Sequence, residues 1–146
     1  RVRLMNSVPL RPDGTHPLLP GVGPAVLTPA QRAKLEAIRS ESEPPVNRQK
    51  QAGHVLGTPQ NANRLRQGKM TSAFLSGEQG EAVTREAWRS GTQLNQDGSL
   101  RLLDFGRPIG TGPSGGGFQT QARVSVDGSG KIHGTPWGPV VEGPMP

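Results

Sequence analysis

Several residue types are missing or scarce in this chain of 146 residues, which has no cysteine, no tyrosine and only 3% aromatic residues. Without cysteine it can form no disulfide, no thiolate nucleophile and no cysteine-based zinc site. Its three histidines are far apart in sequence and have few carboxylates beside them, so we expect neither a metal nor a cofactor. No apolar run approaches the roughly 20 residues of a membrane-spanning helix, and none resembles a signal peptide, so we expect no membrane partner.

Positive charge is in excess. Seventeen Lys and Arg residues against eleven Asp and Glu give a formal net charge of +6. A surface of this sign attracts polyanions, above all nucleic acid, and speeds the encounter with them. The same charge can also serve solubility alone, so it favours a nucleic-acid partner without requiring one.

Glycine and proline, with 21 and 15 residues, are unevenly distributed and divide the chain into three parts. We interpret residues 1–45 as a proline-rich leader with one helix, residues 46–137 as the domain that carries the chemistry, and residues 138–146 as a flexible tail. Proline fixes φ and removes a backbone donor, so the first part of the leader is expected to be extended. Because the chain opens on Arg1 rather than on methionine, we expect it to be part of a longer protein.

Two segments open with a threonine that can cap a helix followed by a proline, which is preferred in the first turn, and they predict helices that begin after Thr28 and Thr58. A third helix is expected to start at Ser76 or Gly77. Gly91 is the predicted terminating residue of the third helix, since glycine is frequent at that position. All three helices therefore precede the strands described next.

Beyond residue 91 the hydrophobic period changes from that of a helix to that of a strand. Residues 100–110 predict a strand broken at Gly106, and the alternation over 118–126 predicts another. A turn at 127–130 leads to a short returning strand, which the glycine and prolines that follow are expected to end quickly. Helices followed by an antiparallel meander indicate an α+β domain, with short N-terminal helices packed on a small twisted antiparallel sheet.

Two of the three histidines fall in these motifs, His54 just before the Thr58 cap and His133 on the last strand. An antiparallel meander can bring that strand beside the loop of His54. Histidine has an unperturbed pKa near neutrality, so a pair can act as general base and general acid. Internal cleavage of RNA needs such a pair, because one group takes the proton of the 2′-OH and the other protonates the leaving 5′-oxygen. The sequence leaves open which histidine has which role.

Cationic donors are needed to hold the phosphate between the histidines. Lys69, with the hydroxyls of Thr71 and Ser72 beside it, can donate to phosphate oxygens, and Arg123 in the centre of the alternating strand can clamp a phosphate bidentately. Further cations are expected to bind RNA, namely Arg64, Arg66 and Lys131. We interpret the third histidine, His16, as a loop residue. Each of these residues also has an ordinary interpretation, as a structural side chain or a solvated charge.

Five segments resemble the C-terminal toxin domains of bacterial polymorphic toxins, the effectors of contact-dependent inhibition, Rhs and related secretion systems. They are HVLGTP at 54–59, GKMTSAF at 68–74, EAW followed by GT at 86–92, DFGRPIG at 104–110 and RVSVDGSGKIHGTP at 123–136. The similarity covers about residues 48–137. Within that class the chain most resembles the type-50 polymorphic toxins, which are placed in the barnase–EndoU–colicin–RelE fold of metal-independent ribonucleases.

This resemblance implies an endoribonuclease that binds RNA across its sheet and is covalently part of a larger delivery protein. It further implies action in the cytoplasm of a target bacterium and a cognate immunity protein, which should be acidic to complement the basic domain. The polar motif residues fall on His54, Thr58, Lys69, Ser72, Arg123 and His133. The chain departs from several such toxins in having no tyrosine near the phosphate, so Arg, Lys or Thr would take that role.

Two other classes stay open. Some polymorphic toxins act on NAD, as ADP-ribosyltransferases or NAD glycohydrolases, with the order Arg…Ser-Thr-Ser…Glu. The residues that follow this order are Arg64 or Arg66, Ser72, and Glu81 or Glu86. No Glu-x-Glu lies on a later strand, where those enzymes keep the catalytic acid. The other class is a non-enzymatic nucleic-acid-binding module, which would stack bases on strand aromatics such as Phe118 or Trp137.

Overall fold

The computed structural model describes residues 26–69, 71–113 and 116–143. In these ranges the chain forms four helices and two antiparallel sheets, so the predicted α+β class is confirmed. The helices are α1 (Pro29–Arg39), α2 (Arg48–Ala52), α3 (Pro59–Arg66) and α4 (Gly77–Ser90). None of the helices in the described ranges is long and apolar enough to cross a membrane. His16 and most of the predicted leader lie outside the described residues.

The strands form a three-stranded sheet of order β1-β4-β5 and a four-stranded sheet of order β2-β3-β6-β7. Their bounds are β1 (Ala73–Phe74), β2 (Thr92–Gln93), β3 (Leu100–Asp104), β4 (Gly110–Thr111), β5 (Phe118–Gln119), β6 (Gln121–Val126) and β7 (Ile132–Trp137). A single sheet was expected from the sequence. It is divided because Phe105 and Ile109 bond to the consecutive residues Thr120 and Gln119, which leaves 106–108 without a counterpart.

The predicted helix starts are confirmed by their caps. The side chains of Thr28, Thr58 and Ser76 each accept a hydrogen bond from the backbone N–H three residues later. The sequence analysis missed α2, a helix of five residues capped by Asn47. Gly91 follows α4 as its C-cap with an extended backbone, φ −74°, and not with the left-handed conformation expected of a terminating glycine.

The core lies between α4 and the four-stranded sheet. Its buried side chains come from both elements and include Val83, Ala87, Trp88, Ala122, Val124, Val126 and Ile132. Ala37 of α1 belongs to the same cluster, so the helix of the predicted leader packs on the domain. Beyond β7, Val141 and Phe118 exchange backbone hydrogen bonds, which ties part of the predicted tail to β5.

The last strand is longer than predicted, because β7 continues through Gly134 and Pro136 to its end. It is the edge strand of the sheet, and the outward N–H groups of Ile132 and Gly134 donate to Pro45 O and Gln51 Oε1. Pro136 occupies the next outward position. Its missing N–H therefore removes no bond of the β6–β7 ladder, and the strand continues through it.

Candidate active site

The four-stranded sheet has one face covered by helices and one face that we call the open face. Along β6 and β7, buried residues alternate with partly exposed ones. The open face carries Arg123, His133, Thr135 and Trp137, and β6 and β7 pair Arg123 with Thr135 directly. Ile132 and His133 point to opposite faces, as the period of two residues predicts.

His54 reaches this open face from the loop between α2 and α3. Its main chain is held on both sides, since its N–H donates to Gln51 O at 2.8 Å and its carbonyl accepts from Phe74 N–H at 2.7 Å. The next residue, Val55, is buried in the core. The His54 ring lies in the other direction, with Nδ1 3.1 Å from Thr135 Oγ1. The meander therefore brings β7 beside the loop of His54, as the sequence analysis expected.

The hydrogen bonds of His54 determine its tautomer. Nδ1 lies 3.1 Å from Ser72 O, and a carbonyl oxygen can only accept, so Nδ1 carries the proton in the neutral ring. The Thr135 hydroxyl donates to Pro136 O at 3.3 Å, which leaves its oxygen able to accept from the same Nδ1–H. Nε2 consequently has the free lone pair, and within the described residues no group bonds to it. Such a nitrogen can take a proton from a ligand.

Both histidines line one cleft of about 540 Å³, which we call the histidine cleft. Its cationic lining residues are Lys50, Arg64 and Lys69. Its neutral polar lining residues are Gln49, Gln60, Asn63 and Gln67, and Gly53 completes the wall. No carboxylate is among the lining residues in the described parts of the chain. The cleft is therefore suited to an anion larger than a single phosphate.

Burial and nearby positive charge lower the pKa of both histidine side chains. For His54, burial is the main cause, opposed by the hydrogen bond to Ser72 O and reinforced by the charges of Arg64, His133 and Arg123. For His133, burial again dominates, and Lys50 lowers the pKa further. Each histidine is therefore neutral at pH 7 in the absence of a ligand.

His133 differs from His54 in having an incompletely bonded ring. Its Nδ1 is buried and has no hydrogen-bond partner among the described residues. Asp127 lies near enough to raise the pKa of His133, against the larger effects of burial and of Lys50. Asp127 Oδ2 also lies 3.6 Å from Lys50 Nζ and accepts from Asn47 Nδ2 at 3.0 Å. One carboxylate thus orients the lysine at the cleft and moderates the charge around His133.

Arg123 is not among the residues that line the histidine cleft, but it lies on the open face directly opposite Thr135, whose hydroxyl contacts His54. Its guanidinium stacks on the Trp137 ring, 3.7 Å from the centroid, and among the described residues it has no hydrogen-bond or ion-pair partner. Stacking fixes the plane of the guanidinium and leaves its N–H donors available. These donors can therefore bond to an anionic ligand.

Two glycines allow the site to assemble. A Cβ at Gly134 would lie 2.4 Å from Thr84 Oγ1, so only glycine lets β7 pass this close to α4. There, Gln51 Oε1 accepts from both Thr84 Oγ1 and Gly134 N–H, which joins α2, α4 and β7 beside the two histidines. A Cβ at Gly53 would lie 2.9 Å from Arg64 Cδ, so the stem of Arg64 crosses this glycine on its way to the cleft.

Four of the predicted site residues have other positions or uses. The Thr58 hydroxyl caps α3 and donates to Ala52 O and Val55 O, and Thr58 lines a different cleft. Ser72 is buried and contributes its backbone carbonyl to His54. Arg66 and Lys131 are exposed and do not line the histidine cleft. Of the residues matched to the toxin motifs, Thr58 and Ser72 therefore make structural hydrogen bonds in this fold.

The residues considered for chemistry on NAD are not brought to one site. Arg64 lines the histidine cleft, whereas Glu81 lines the cleft between α2 and the start of α4. Glu81 is also paired with Arg48 and Arg85, at 3.2 and 2.9 Å. Glu86 is exposed on α4. The expected order of residues along the chain therefore does not correspond to a common cleft.

The sequence analysis missed Lys50, Thr135 and the four amides of the cleft. Lys50 lies in the undetected helix α2, and Thr135 lies in the part of β7 that was not expected to be a strand. The amides had a detectable signal, because Gln60, Asn63 and Gln67 follow a spacing of three and four residues, which places them on one side of α3.

Comparison of the chain with models of known protein families, with curated proteins and with solved structures found no match. In the described residues, no three His, Asp or Glu side chains come together in a way that could hold a metal ion. What the histidine cleft can do chemically therefore carries the functional assignment.

Proposed function

We propose that this chain is the toxin domain of a bacterial polymorphic toxin and acts as a metal-independent endoribonuclease. The observation that carries the proposal is the position of His54 and His133, which come from distant parts of the sequence and line one cationic cleft without carboxylates. The five motif segments that resemble polymorphic toxins support the same assignment.

In the proposed reaction, His54 is the general base. Its Nε2 lone pair takes the proton of the ribose 2′-OH, and the 2′-oxygen attacks the adjacent phosphorus. The Ser72 carbonyl supports this role, because it holds the proton of the neutral ring on Nδ1 and stabilises the imidazolium that forms. The lowered pKa of His54 keeps the base in its neutral form at pH 7.

His133 is the proposed general acid. As the P–O5′ bond breaks, it donates its proton to the leaving oxygen, and the products are a 2′,3′-cyclic phosphate and a 5′-hydroxyl. The acid has to be protonated, which burial and Lys50 oppose. A bound phosphodiester brings a negative charge next to the ring, and this raises its pKa when the substrate is present.

The cations of the cleft supply the remaining requirement, which is stabilisation of the negative charge that grows on the phosphate. Arg64 reaches the cleft from α3, Lys69 from the segment that follows α3, and Lys50 from α2. Arg123 offers a planar pair of donors from the open face. Preorganised donors of this kind commonly contribute a large share of catalysis in phosphoryl chemistry.

The biological setting follows from the resemblance. The domain would be delivered as part of a larger protein and act on RNA in the cytoplasm of a target bacterium. In the producing cell, an acidic immunity protein would cover the histidine cleft, because complementary potentials steer and fix such complexes. Binding of this partner should therefore compete with RNA.

The deciding experiment incubates the purified chain with total RNA in EDTA and, separately, with NAD. We expect RNA fragments that end in 2′,3′-cyclic phosphate and no loss of NAD. The matched variants are His133→Ala and His16→Ala, of which only the first should abolish cleavage. Loss of NAD with intact RNA, or RNA cleavage that EDTA stops, would refute the proposal.

A further inference from the structure

One wall of the histidine cleft consists of neutral amides. Gln60 and Asn63 lie on α3, Gln67 caps its C-terminus, and Gln49 faces them from α2. The spacing of 60, 63 and 67 places three of these side chains on the same side of the helix as Arg64. The amide wall is therefore adjacent to the cations that are proposed to hold the phosphate.

The side chains of these amides are not hydrogen-bonded to the described part of the protein. All four are exposed, and none of their side chains makes a hydrogen bond within the described residues. The nearby amides Asn47, Gln51 and Asn61 each bond to the protein, so free amides are not general in this region. The amide wall thus offers donors and acceptors to a ligand.

An amide side chain presents one donor and one acceptor side by side. Asn and Gln pair in this way with the N6 amine and N7 of adenine, whereas guanine is read by Arg or Lys. In single-stranded RNA the base edges are unpaired and accessible to such side chains. Arg64 has its Nε bonded to Thr71 Oγ1 at 3.3 Å, and its terminal nitrogens are proposed to bind the phosphate, so the amides are the side chains of this wall that are left to contact a base.

We infer that the amide wall of α3, with Asn63 and Gln67 at its centre, is a subsite for an unpaired adenine next to the cleaved phosphate. The inference rests on the proposed function in taking RNA as the ligand. It adds a determinant of specificity that the phosphate-binding cations cannot supply, because phosphate contacts carry no sequence information.

The test measures binding of RNA hexamers that carry 2′-O-methyl groups and so cannot be cleaved by 2′-OH attack. Each hexamer consists of uridines with A, C, G or U at the third position. We expect the adenine hexamer to bind about tenfold more tightly than the uridine hexamer, the scale of one good bidentate contact. In the double variant Asn63→Ala/Gln67→Ala this preference should fall below about twofold.

The matched control is Gln93→Ala, which removes an exposed amide of β2 outside the cleft and should keep the preference. Equal binding of all four hexamers to the wild type, a preference for another base, or an adenine preference that survives the double variant would overturn the inference. Cleavage of ordinary RNA is measured in parallel. If the protein cleaves RNA without base preference, the proposed function stands and the adenine subsite is refuted. If it prefers adenine but does not cleave RNA, the subsite stands and the proposed ribonuclease activity is refuted.

Discussion

The four-stranded sheet carries an arginine stacked on a tryptophan on each of its two faces, and the two pairs differ in what the arginine is free to do. On the helix-covered face, the Arg101 guanidinium lies 3.6 Å from the Trp88 ring centroid. On the open face, Arg123 lies 3.7 Å from the Trp137 ring centroid. The stacking distances are nearly the same, so the difference lies in the surroundings.

Arg101 is held by the protein through its hydrogen bonds as well as its stacking. It donates to Trp88 O and to Gly98 O, at 2.5 and 3.0 Å, and burial lowers its pKa. Arg123 has no such partner within the described residues, and its charge reaches both histidines. The comparison teaches that an Arg–Trp stack is structural where carbonyls complete it, and available to a ligand where they are absent.

The largest expected effect concerns the two histidines near the Arg123–Trp137 stack on the open face. His54→Ala and His133→Ala should each lower RNA cleavage by roughly 10²–10⁴-fold, the usual contribution of general acid–base catalysis. Circular dichroism should report an unchanged fold. His16→Ala is the matched control and should cleave like the wild type. A folded His133→Ala that cleaves at the wild-type rate would show that the open face is not catalytic.

The next prediction tests the Arg123–Trp137 stack directly. Arg123→Ala should lower kcat/KM by about 100-fold, which corresponds to about 3 kcal/mol of transition-state stabilisation. Its free energy of unfolding should change little, since no hydrogen bond within the described residues is lost. Arg123→Lys keeps the charge without the planar fork and should recover only part of the activity. Arg39→Ala, at an exposed position of α1, is the control, and equal activity of all three variants would contradict the assignment.

Arg101→Ala should have the opposite result. We expect the free energy of unfolding to fall by about 2 kcal/mol, because Trp88 O loses its donor and the ring loses its stacked partner. Urea denaturation measures this, and cleavage per folded molecule should stay at the wild-type level. If Arg101→Ala instead abolished cleavage without loss of stability, the two stacks would have exchanged their roles.

A smaller effect is expected for Asp127, which supports the turn before β7. Its Oδ1 accepts from Ser129 N, Ser129 Oγ and Lys131 N. Burial alone would raise the pKa of Asp127, but these bonds and that of Asn47 bring it well below its ordinary value of 3.8. Asp127→Asn should lower the free energy of unfolding by about 1.5 kcal/mol at pH 7.

The pH dependence gives the sign of this contribution. A carboxyl whose pKa is lower in the folded state stabilises fully above its unfolded pKa, and the stabilisation is lost as the pH falls through the folded pKa. The difference between wild type and Asp127→Asn should therefore shrink below pH 3.8. A difference that is constant from pH 7 to pH 2 would show that the charge of Asp127 is irrelevant.

The smallest effect is the pH profile of cleavage near neutrality. Burial lowers the pKa of both histidines from 6.5, so the optimum of kcat/KM should lie below that value. Above the optimum, the rate falls by at most about tenfold per pH unit as the acid loses its proton, and below it the base becomes protonated. A profile that is flat from pH 5 to 8 would exclude the histidine pair.

The parts of the fold that depend on neighbouring residues were predictable from sequence. The helix caps at Thr28 and Thr58, the start of α4 at Gly77 and the alternation along β6 follow from local chemistry, and they are present as expected. The opposite directions of Ile132 and His133 follow from the same period. These local rules were sufficient to place His133 on the accessible face.

What was not predictable depends on partners far apart in sequence. The extent of β7 depends on which side of the edge Pro136 faces, and that follows from the bond between Gly134 N–H and Gln51. The tautomer of His54, on which its proposed role as base rests, depends on Ser72 O, a backbone atom that no motif indicates. The structural role of Thr58 arises because its hydroxyl accepts from Asn61 N–H at the start of α3 and also lies within hydrogen-bond distance of the carbonyls of Ala52 and Val55.

The outer edge of β7 has a consequence for how copies of the protein meet. An edge strand with free donors is a template on which another chain can add a strand, and this is a common start of aggregation. Here Pro45 O takes the donor of Ile132, Gln51 takes that of Gly134, and Pro136 has none to offer. The strand that carries His133 is thereby protected against intermolecular β-pairing at three successive outward positions, so β7 stays with its own sheet even where the protein is concentrated.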